Sequence, residues 1–318
     1  MSCHRLIALR LIALSLASAL AVSGLAVAGG PLLLAAQQKT ADSDKTPAKI
    51  LFGRVRTPAP IAARAIGFYA KGCLAGAVEL PRDGPAWQVM RVSRNRNWGH
   101  PRLIALLERL ATEARAQDGW NGLLVGDLSQ PRGGPMTSGH ASHQVGLDAD
   151  IWLTPMPDRK LTDQERETIS ATSVIKSRFE VNPKIWTEAD ARLIRRAASY
   201  PEVERIFVHP PIKKALCDWA GGKGVWLAKV RPYYGHYHHF HIRMACPKDS
   251  PTCKPQGPAR PKDGTGCGAD LAYWLSDKPW KPPEKPKPPL KPAPKPKPKP
   301  QITMAQLPAE CRAVLEIR

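Results

Sequence analysis

Residues 138–153 read SGHASHQVGLDADIWL, and residues 235–244 read GHYHHFHIRM. In the first stretch Leu147, Ala149, Ile151 and Leu153 recur every second residue, the period of a strand with one apolar face. Asp148 and Asp150 then point to the opposite face. The second stretch repeats the pattern: Phe240 and Ile242 share one face and His239 and His241 the other. His238 falls on the Phe240 side, and His236 belongs to the approach loop. Six of the nine histidines lie in these two stretches. Each strand therefore buries aliphatic or aromatic groups on one side and offers acids or imidazoles on the other, the placement needed to line a cleft.

Working outward, Pro101 opens a segment in which Leu103, Ile104, Leu106, Leu107, Leu110, Ala111 and Ala114 recur at helical spacing, which predicts an amphipathic helix over 101–116. Gly122 to Asp127 (GLLVGD) reads as a buried strand. Thr187 and Asp190 have the spacing of a capping box, so a second helix is expected over 188–199. Residues 203–208 follow as a strand, ended by Pro210-Pro211. Helices and short strands mix without a regular βαβ alternation, which predicts an α+β fold. There is no internal repeat and no Gly-rich phosphate loop.

The chain has 318 residues, 43% of them hydrophobic, enough for a real core. Its formal charge is +20, from 47 Lys+Arg against 27 Asp+Glu. The two ends account for much of this. Arg5 and Arg10 precede an apolar run that ends at Ala26-Val27-Ala28, the order of a secretory signal cut after residue 28 or, alternatively, after residue 36. Residues 278–300 contain 11 Pro and eight Lys with one Glu, and read as an extended linker. About +11 is left for the remainder, too little to argue for nucleic acid. The expected organisation is a leader over 1–36, a body over 37–277, the linker over 278–300 and a terminal segment over 301–318. No other apolar run approaches the roughly 20 residues of a membrane span.

Without Cys3 of the leader, six cysteines remain: Cys73, Cys217, Cys246, Cys253, Cys267 and Cys311. An even number in an exported chain implies disulfides, although spacing alone leaves 15 pairings open. A cysteine zinc ribbon is not expected, because no CxxC pair occurs.

The histidine strands suggest metal chemistry. A His-x-His pair offers one ring to a metal and keeps the other beside the metal's open position. His241 with His143 and Asp150 would supply three N and O ligands, a set suited to a catalytic zinc. His239 is then placed to move a proton or steady an oxyanion, with His236 a weaker candidate for that role. Asp148 either orients a histidine or is a solvated carboxylate. Arg132 and Arg243 are candidates for binding a substrate carboxylate. A serine mechanism has a weak pointer in Ser173-Val174-Ile175-Lys176, an SxxK without the SDN or KTG that accompanies it in penicillin-binding proteins.

The stretches GHASHQVGLDADIW, RIFVHPPIKKALC and GHYHHFHIRMACP resemble the penicillin-insensitive murein endopeptidases, a family of zinc peptidases that cut peptidoglycan crosslinks. The resemblance runs from about residue 68 to 274 and takes in the region of Cys311. The family is similar in its zinc core to the lysostaphin, D-Ala-D-Ala carboxypeptidase and hedgehog group, whose site sits on a small antiparallel sheet. The resemblance implies that His143, Asp150 and His241 ligate zinc, that His239 is catalytic, and that His140 and His236 are further histidines of the site, His140 as a metal ligand. It also implies the bridges Cys73–Cys311, Cys217–Cys267 and Cys246–Cys253. Relatives that hold a second metal use an Asp and a His about 30 residues beyond the first motif; residues 169–186 contain neither, so one zinc is expected. The implied function is a periplasmic, β-lactam-insensitive zinc endopeptidase acting on D-alanyl-meso-diaminopimelyl crosslinks of peptidoglycan. Two alternatives are a D,D-carboxypeptidase on stem peptides and a non-catalytic, zinc-containing wall-binding module.

Overall fold

A computed structural model describes residues 45–281 and 301–318, all within one unit, Ala41–Arg318. The expected leader and residues 282–300 of the expected linker lie outside the described residues. In chain order the elements are α1 (Ala48–Gly53), β1 (Arg64–Phe68), β2 (Lys71–Ala75), β3 (Val78–Glu79), β4 (Asp83–Gly84), β5 (Trp87–Val89), β6 (Trp98–Gly99), α2 (Pro101–Gln117), β7 (Leu123–Val125) and β8 (Asp148–Trp152). They continue as α3 (Asp163–Thr168), α4 (Glu188–Ser199), β9 (Val203–Val208), α5 (Pro210–Trp219), β10 (Val230–Pro232), β11 (His239–Met244), α6 (Ala269–Leu275) and α7 (Glu310–Glu316). The fold is α+β.

Seven strands form the main sheet in the order β10-β9-β11-β8-β7-β5-β4. Its centre, β9-β11-β8-β7, is antiparallel and carries His239 and His241 on β11, with His140 and His143 in the loop before β8. The whole sheet is wider than the small one the resemblance implies, because β10 pairs in parallel with β9 and β5 with β7. Parallel neighbours need a crossover, and here α5 and α2 supply it. Periodicity missed α5. Pro210 and Pro211 do end β9, but they also open this helix, where the first turn has no use for their missing N–H groups. The helices α2 and α4 and the strand β9 otherwise fall within a residue of their expected limits; Thr187 N donates to Asp190 as the capping box requires, and Thr187 Oγ1 adds a bond to the same carboxylate.

One register decides where the polar residues go. Strand β11 runs antiparallel to β8 with His241 opposite Asp150 and Arg243 opposite Asp148. On the other face Ala149, Ile151, Phe240 and Ile242 are fully buried in one core with Leu103, Leu107 and Leu110 of α2 and Leu193, Ile194 and Ala197 of α4. Burying each large side chain contributes about 1.5–3 kcal/mol. A slip of one residue would drive Asp148 and Asp150 into that core, so the apolar face sets the orientation of the acids.

A second core joins the two ends of the described chain. Ala48, Phe52, Ile66 and Ala75 pack with Met304, Leu307 and Val314 around the Cys73–Cys311 bridge. The other disulfides are Cys217–Cys267 and Cys246–Cys253. Residues 301–318 are therefore held by packing as well as by a covalent bond. Lys278–Trp280, at the start of the expected linker, form a 3-10 turn, with the Trp280 ring 4.9 Å from Tyr234 and 5.5 Å from His209. Among the described residues no helix is long and apolar enough to cross a membrane.

Arg132 belongs to this second core and not to a substrate site. It is buried, and its guanidinium donates to the carbonyls of Thr57, Val314, Leu315 and Ile317. Three of these acceptors lie at the end of α7, where helical carbonyls lack intrahelical partners. Arg132→Met should lower unfolding stability by about 2–3 kcal/mol, the scale of charged hydrogen bonds lost from a buried site. Hydrolytic turnover at temperatures where the variant stays folded should not change. A denaturant titration with a parallel activity assay checks both.

Candidate metal centre

Asp150 is the hub of the polar face. It is 5% exposed, and its Oδ1 lies 3.4 Å from His143 Nε2, 3.4 Å from His241 Nδ1 and 3.6 Å from His239 Nε2. Its Oδ2 lies 3.6 Å from His140 Nδ1. Two of these rings are fixed from behind. His143 Nδ1 sits 2.7 Å from the Leu128 carbonyl, which only accepts, so the ring proton is on Nδ1 and Nε2 is bare. Asp148 Oδ1 lies 3.0 Å from His241 Nε2, and its negative charge favours the ring proton on that side and a bare Nδ1 toward Asp150.

Three lone-pair atoms, His143 Nε2, His241 Nδ1 and Asp150 Oδ1, therefore converge in a buried space. His143 Nε2 and Asp150 Oδ1 have no hydrogen-bond partner. Facing acceptors repel unless a cation lies between them, and buried polar atoms left unpaired are costly. Burial disfavours a charged His143, but Asp150, with Asp148 and Asp127 beyond it, outweighs that and raises its pKa. A proton on His143 is thus one cation the cluster accepts. A metal ion is the other. Corners of a tetrahedron about 2.0–2.1 Å from a zinc are about 3.4 Å apart, which matches the two separations from Asp150 Oδ1. His140, His143 and Asp150 also place one potential ligand atom each within 4.8 Å of one another.

The electrostatics suit a cation. Burial opposes ionisation of Asp150, yet His239, His143 and His140 hold its pKa well below the ordinary carboxylate value. Burial pushes His239 down to about 3 and His241 to about 4, so both rings are neutral at pH 7. Burial also lowers His236 and His238. The local backbone is specialised. His143 has φ 66°, a left-handed conformation uncommon outside glycine, and its N–H donates to Asp148 Oδ2 at 2.9 Å. Gly146 is required nearby, since a Cβ there would sit 2.4 Å from Leu74 Cδ2.

The chain matches the penicillin-insensitive murein endopeptidase family over residues 65–316. It is 43% identical over 234 residues to the penicillin-insensitive murein endopeptidase of Haemophilus influenzae, covering 72% of this chain and 79% of that protein. It is 39% identical over 272 residues to the protein of the same name from Pectobacterium atrosepticum, covering 85% and 90% respectively. The chain belongs to this family. A third relative, from Klebsiella pneumoniae, is 39% identical over 264 residues, covering 83% of this chain and 90% of its own length.

The remaining histidines surround the hub. The His239 ring stands 5.0 Å from that of His236 and 4.6 Å from that of His238, with the two Nδ1 atoms of His238 and His239 2.9 Å apart. His236, in the loop before β11, has its Nδ1 2.5 Å from the Tyr234 carbonyl. His140 is the more exposed of the rings near Asp150, and its Nε2 lies 3.0 Å from Asp127 Oδ2. Sequence reading missed Asp127. It stands at the end of the GLLVGD strand, beside Asp150, whose N–H donates to the Asp127 carbonyl. An acid closing a buried strand was the available signal.

Asp148 orients a histidine and is not solvated. It is fully buried and takes Arg243 Nε at 2.8 Å and Nη2 at 3.1 Å in addition to its contacts with His143 and His241. Arg243 is thereby spent on Asp148 and Gln256 and does not wait for a substrate carboxylate. The SxxK reading also fails: Lys176 Nζ is 3.3 Å from Glu180, and Ser173 Oγ accepts from Ile175 N, so the lysine does not activate that serine.

Proposed function

We propose that this chain is an exported, zinc-dependent murein endopeptidase that hydrolyses D-alanyl-meso-diaminopimelyl amide bonds between peptidoglycan stem peptides in the periplasm. The observation that carries this reading is the convergence of bare donor atoms from His143, His241 and Asp150 in a site bordered by His239. His143 Nε2, His241 Nδ1 and Asp150 Oδ1 would hold the ion. His140, whose Nδ1 faces the other carboxylate oxygen and whose Nε2 is engaged by Asp127, places a ligand atom within 4.8 Å of those of His143 and Asp150 and is a further ligand candidate. A bound zinc supplies a Lewis acid that activates water and polarises an amide carbonyl.

The chain's own residues do the rest. The Leu128 carbonyl and the Asp148 carboxylate keep the ligand rings in the tautomers that leave their inward nitrogens bare. His239, neutral and buried beside Asp150, accepts a proton at Nε2 and returns it to the departing amine. His236, one ring away, has its Nδ1 proton held by the Tyr234 carbonyl, so its bare Nε2 can only accept and the ring borders the site as a positioning group. Two clefts meet at His140 and His239, one lined by Phe207, Tyr233 and His236 and the other by Arg94, Asp127 and Trp152. Room on both sides of the reacting centre favours cleavage within a crosslink over trimming of a chain end. Attack by water needs no acyl-serine, so β-lactams should not inhibit.

Digestion of purified sacculi tests this directly. Crosslinked dimers should disappear into monomers, a chelator should stop the reaction, zinc should restore it and penicillin should leave it unchanged. His239→Ala should slow it about 10²–10⁴-fold. Monomers losing a terminal D-alanine while dimers persist would indicate a carboxypeptidase. Sacculus binding without new amines would indicate a binding module.

A further inference from the structure

The two clefts differ in lining: the first is mainly aromatic, and the second sets Arg91 and Arg94 against Asp127 and Asp150. The first, about 510 Å³, is walled by Phe207, Tyr233 and Tyr234, and the arginine at its edge, Arg243, is clamped to Asp148 and Gln256. The second, about 350 Å³, runs from His140, Asp150 and His239 to Arg91 and Arg94, with Arg96 buried behind it against Asp127. Arg91 donates to the carbonyls of Arg166 and Ile169, and its guanidinium lies over Trp152. Arg96 is 7% exposed and donates to Asp127 and Ser138. Arg94 differs from both. Its side chain is 46% exposed, and one nitrogen, Nη1, meets Asp127 Oδ2 at 3.1 Å. A guanidinium carries five N–H donors in a planar fork matched to a carboxylate, so most of this fork faces the cleft.

Asp127 does not need Arg94 for charge balance, because Arg96 at 2.8 Å and His140 at 3.0 Å already meet the same oxygen. Asp127 instead steers the Arg94 head toward the end of the cleft where Asp150 and His239 lie.

We infer that Arg94 is a substrate-binding residue that takes the free carboxylate on the carbon attached to the scissile amide nitrogen. The inference rests on the proposed endopeptidase reading. In a D-alanyl-diaminopimelyl crosslink the two arms differ at the carbon next to the amide. The acyl arm carries a methyl group there, and the amine arm carries a carboxylate. The methyl-bearing arm fits the aromatic cleft, and the anionic arm fits the cleft that holds Arg94. The bond cleaved is then oriented before any chemistry, and a crosslink lacking that charge is discriminated against.

The test uses two synthetic crosslinked muropeptides that differ only in whether this carboxylate is free or amidated, with kcat and KM measured for wild type, Arg94→Met and Arg94→Lys. Wild type should prefer the free acid by about 10–100-fold in kcat/KM, the range of a hydrogen-bonded charge pair. Arg94→Met should lose that factor on the free acid, mainly through KM, and lose almost nothing on the amide. Arg94→Lys should recover part of the preference. Equal cleavage of both substrates by wild type, or an equal loss on both in Arg94→Met, overturns the inference while leaving the endopeptidase reading intact. Failure of wild type to cleave either substrate removes that reading and this inference with it. Unfolding midpoints of the variants separate any loss of fold, which would lower both substrates together.

Discussion

Asp150→Asn should lower kcat/KM on sacculi by about 10³-fold or more, a loss of about 4 kcal/mol of transition-state stabilisation, and should leave the purified protein with substoichiometric zinc. Asparagine preserves the shape of the side chain and removes its charge. It therefore isolates what the carboxylate does at the point where His143 and His241 turn their bare nitrogens. Without the anion, two neutral imidazoles remain, too few to hold a divalent ion against water. Metal analysis of the variant and a sacculus digestion read the two consequences independently. Turnover within tenfold of wild type, with zinc still bound, would show that the convergence on Asp150 is not the seat of the chemistry.

Asp148→Asn should do the greater damage to the fold. Asp148 has no exposed surface, yet it meets both Nε and Nη2 of Arg243, the backbone N–H of His143 and the Nε2 of His241. Burial alone would raise its pKa, but Arg243 and His241 hold it far below the ordinary carboxylate range. Neutralising it strands the Arg243 guanidinium, which is 6% exposed. Breaking one partner of such a buried pair costs about 3–5 kcal/mol. His143 also loses the bond that steadies its left-handed backbone, and His241 loses the group that fixes its tautomer. Activity of the remaining folded fraction should fall about 10–100-fold, the usual effect of removing a residue that orients a metal ligand. Equilibrium unfolding and kinetics on the soluble protein check the two parts. A variant of wild-type stability would mean that Arg243 finds another partner.

The orientation of the site was legible because it depends on a local rule. Successive side chains of a strand point to opposite faces, so the apolar alternation in 147–153 and 240–242 placed Asp150, His239 and His241 on the polar side without knowledge of the neighbouring strands. The helices α2 and α4 were legible for the same kind of reason: an apolar stripe at helical spacing and a capping box are properties of contiguous residues. The arginines were not. Arg132, Arg243 and Arg94 look alike in sequence, and their long side chains reach partners that no short-range pattern specifies. Arg132 caps α7 from more than 180 positions away, and Arg243 pairs with Asp148 across the β8–β11 ladder. The two parallel strand pairs were hidden as well, because a crossover is defined by the return of the chain and not by the period of either strand.

The bare order of residues thus specified which groups are candidates for the chemistry and which side of each strand Asp150, His239 and His241 occupy, the latter because it follows from steric alternation along a few contiguous positions. Folding in three dimensions assigned the roles. The pairing of β8 with β11 brought His241 opposite Asp150, packing placed Asp127 beside His140, and of three similar arginines only Arg94 kept a fork open to the cleft. Those outcomes depend on distances between segments far apart in the chain, and such distances exist only after the apolar faces have been buried.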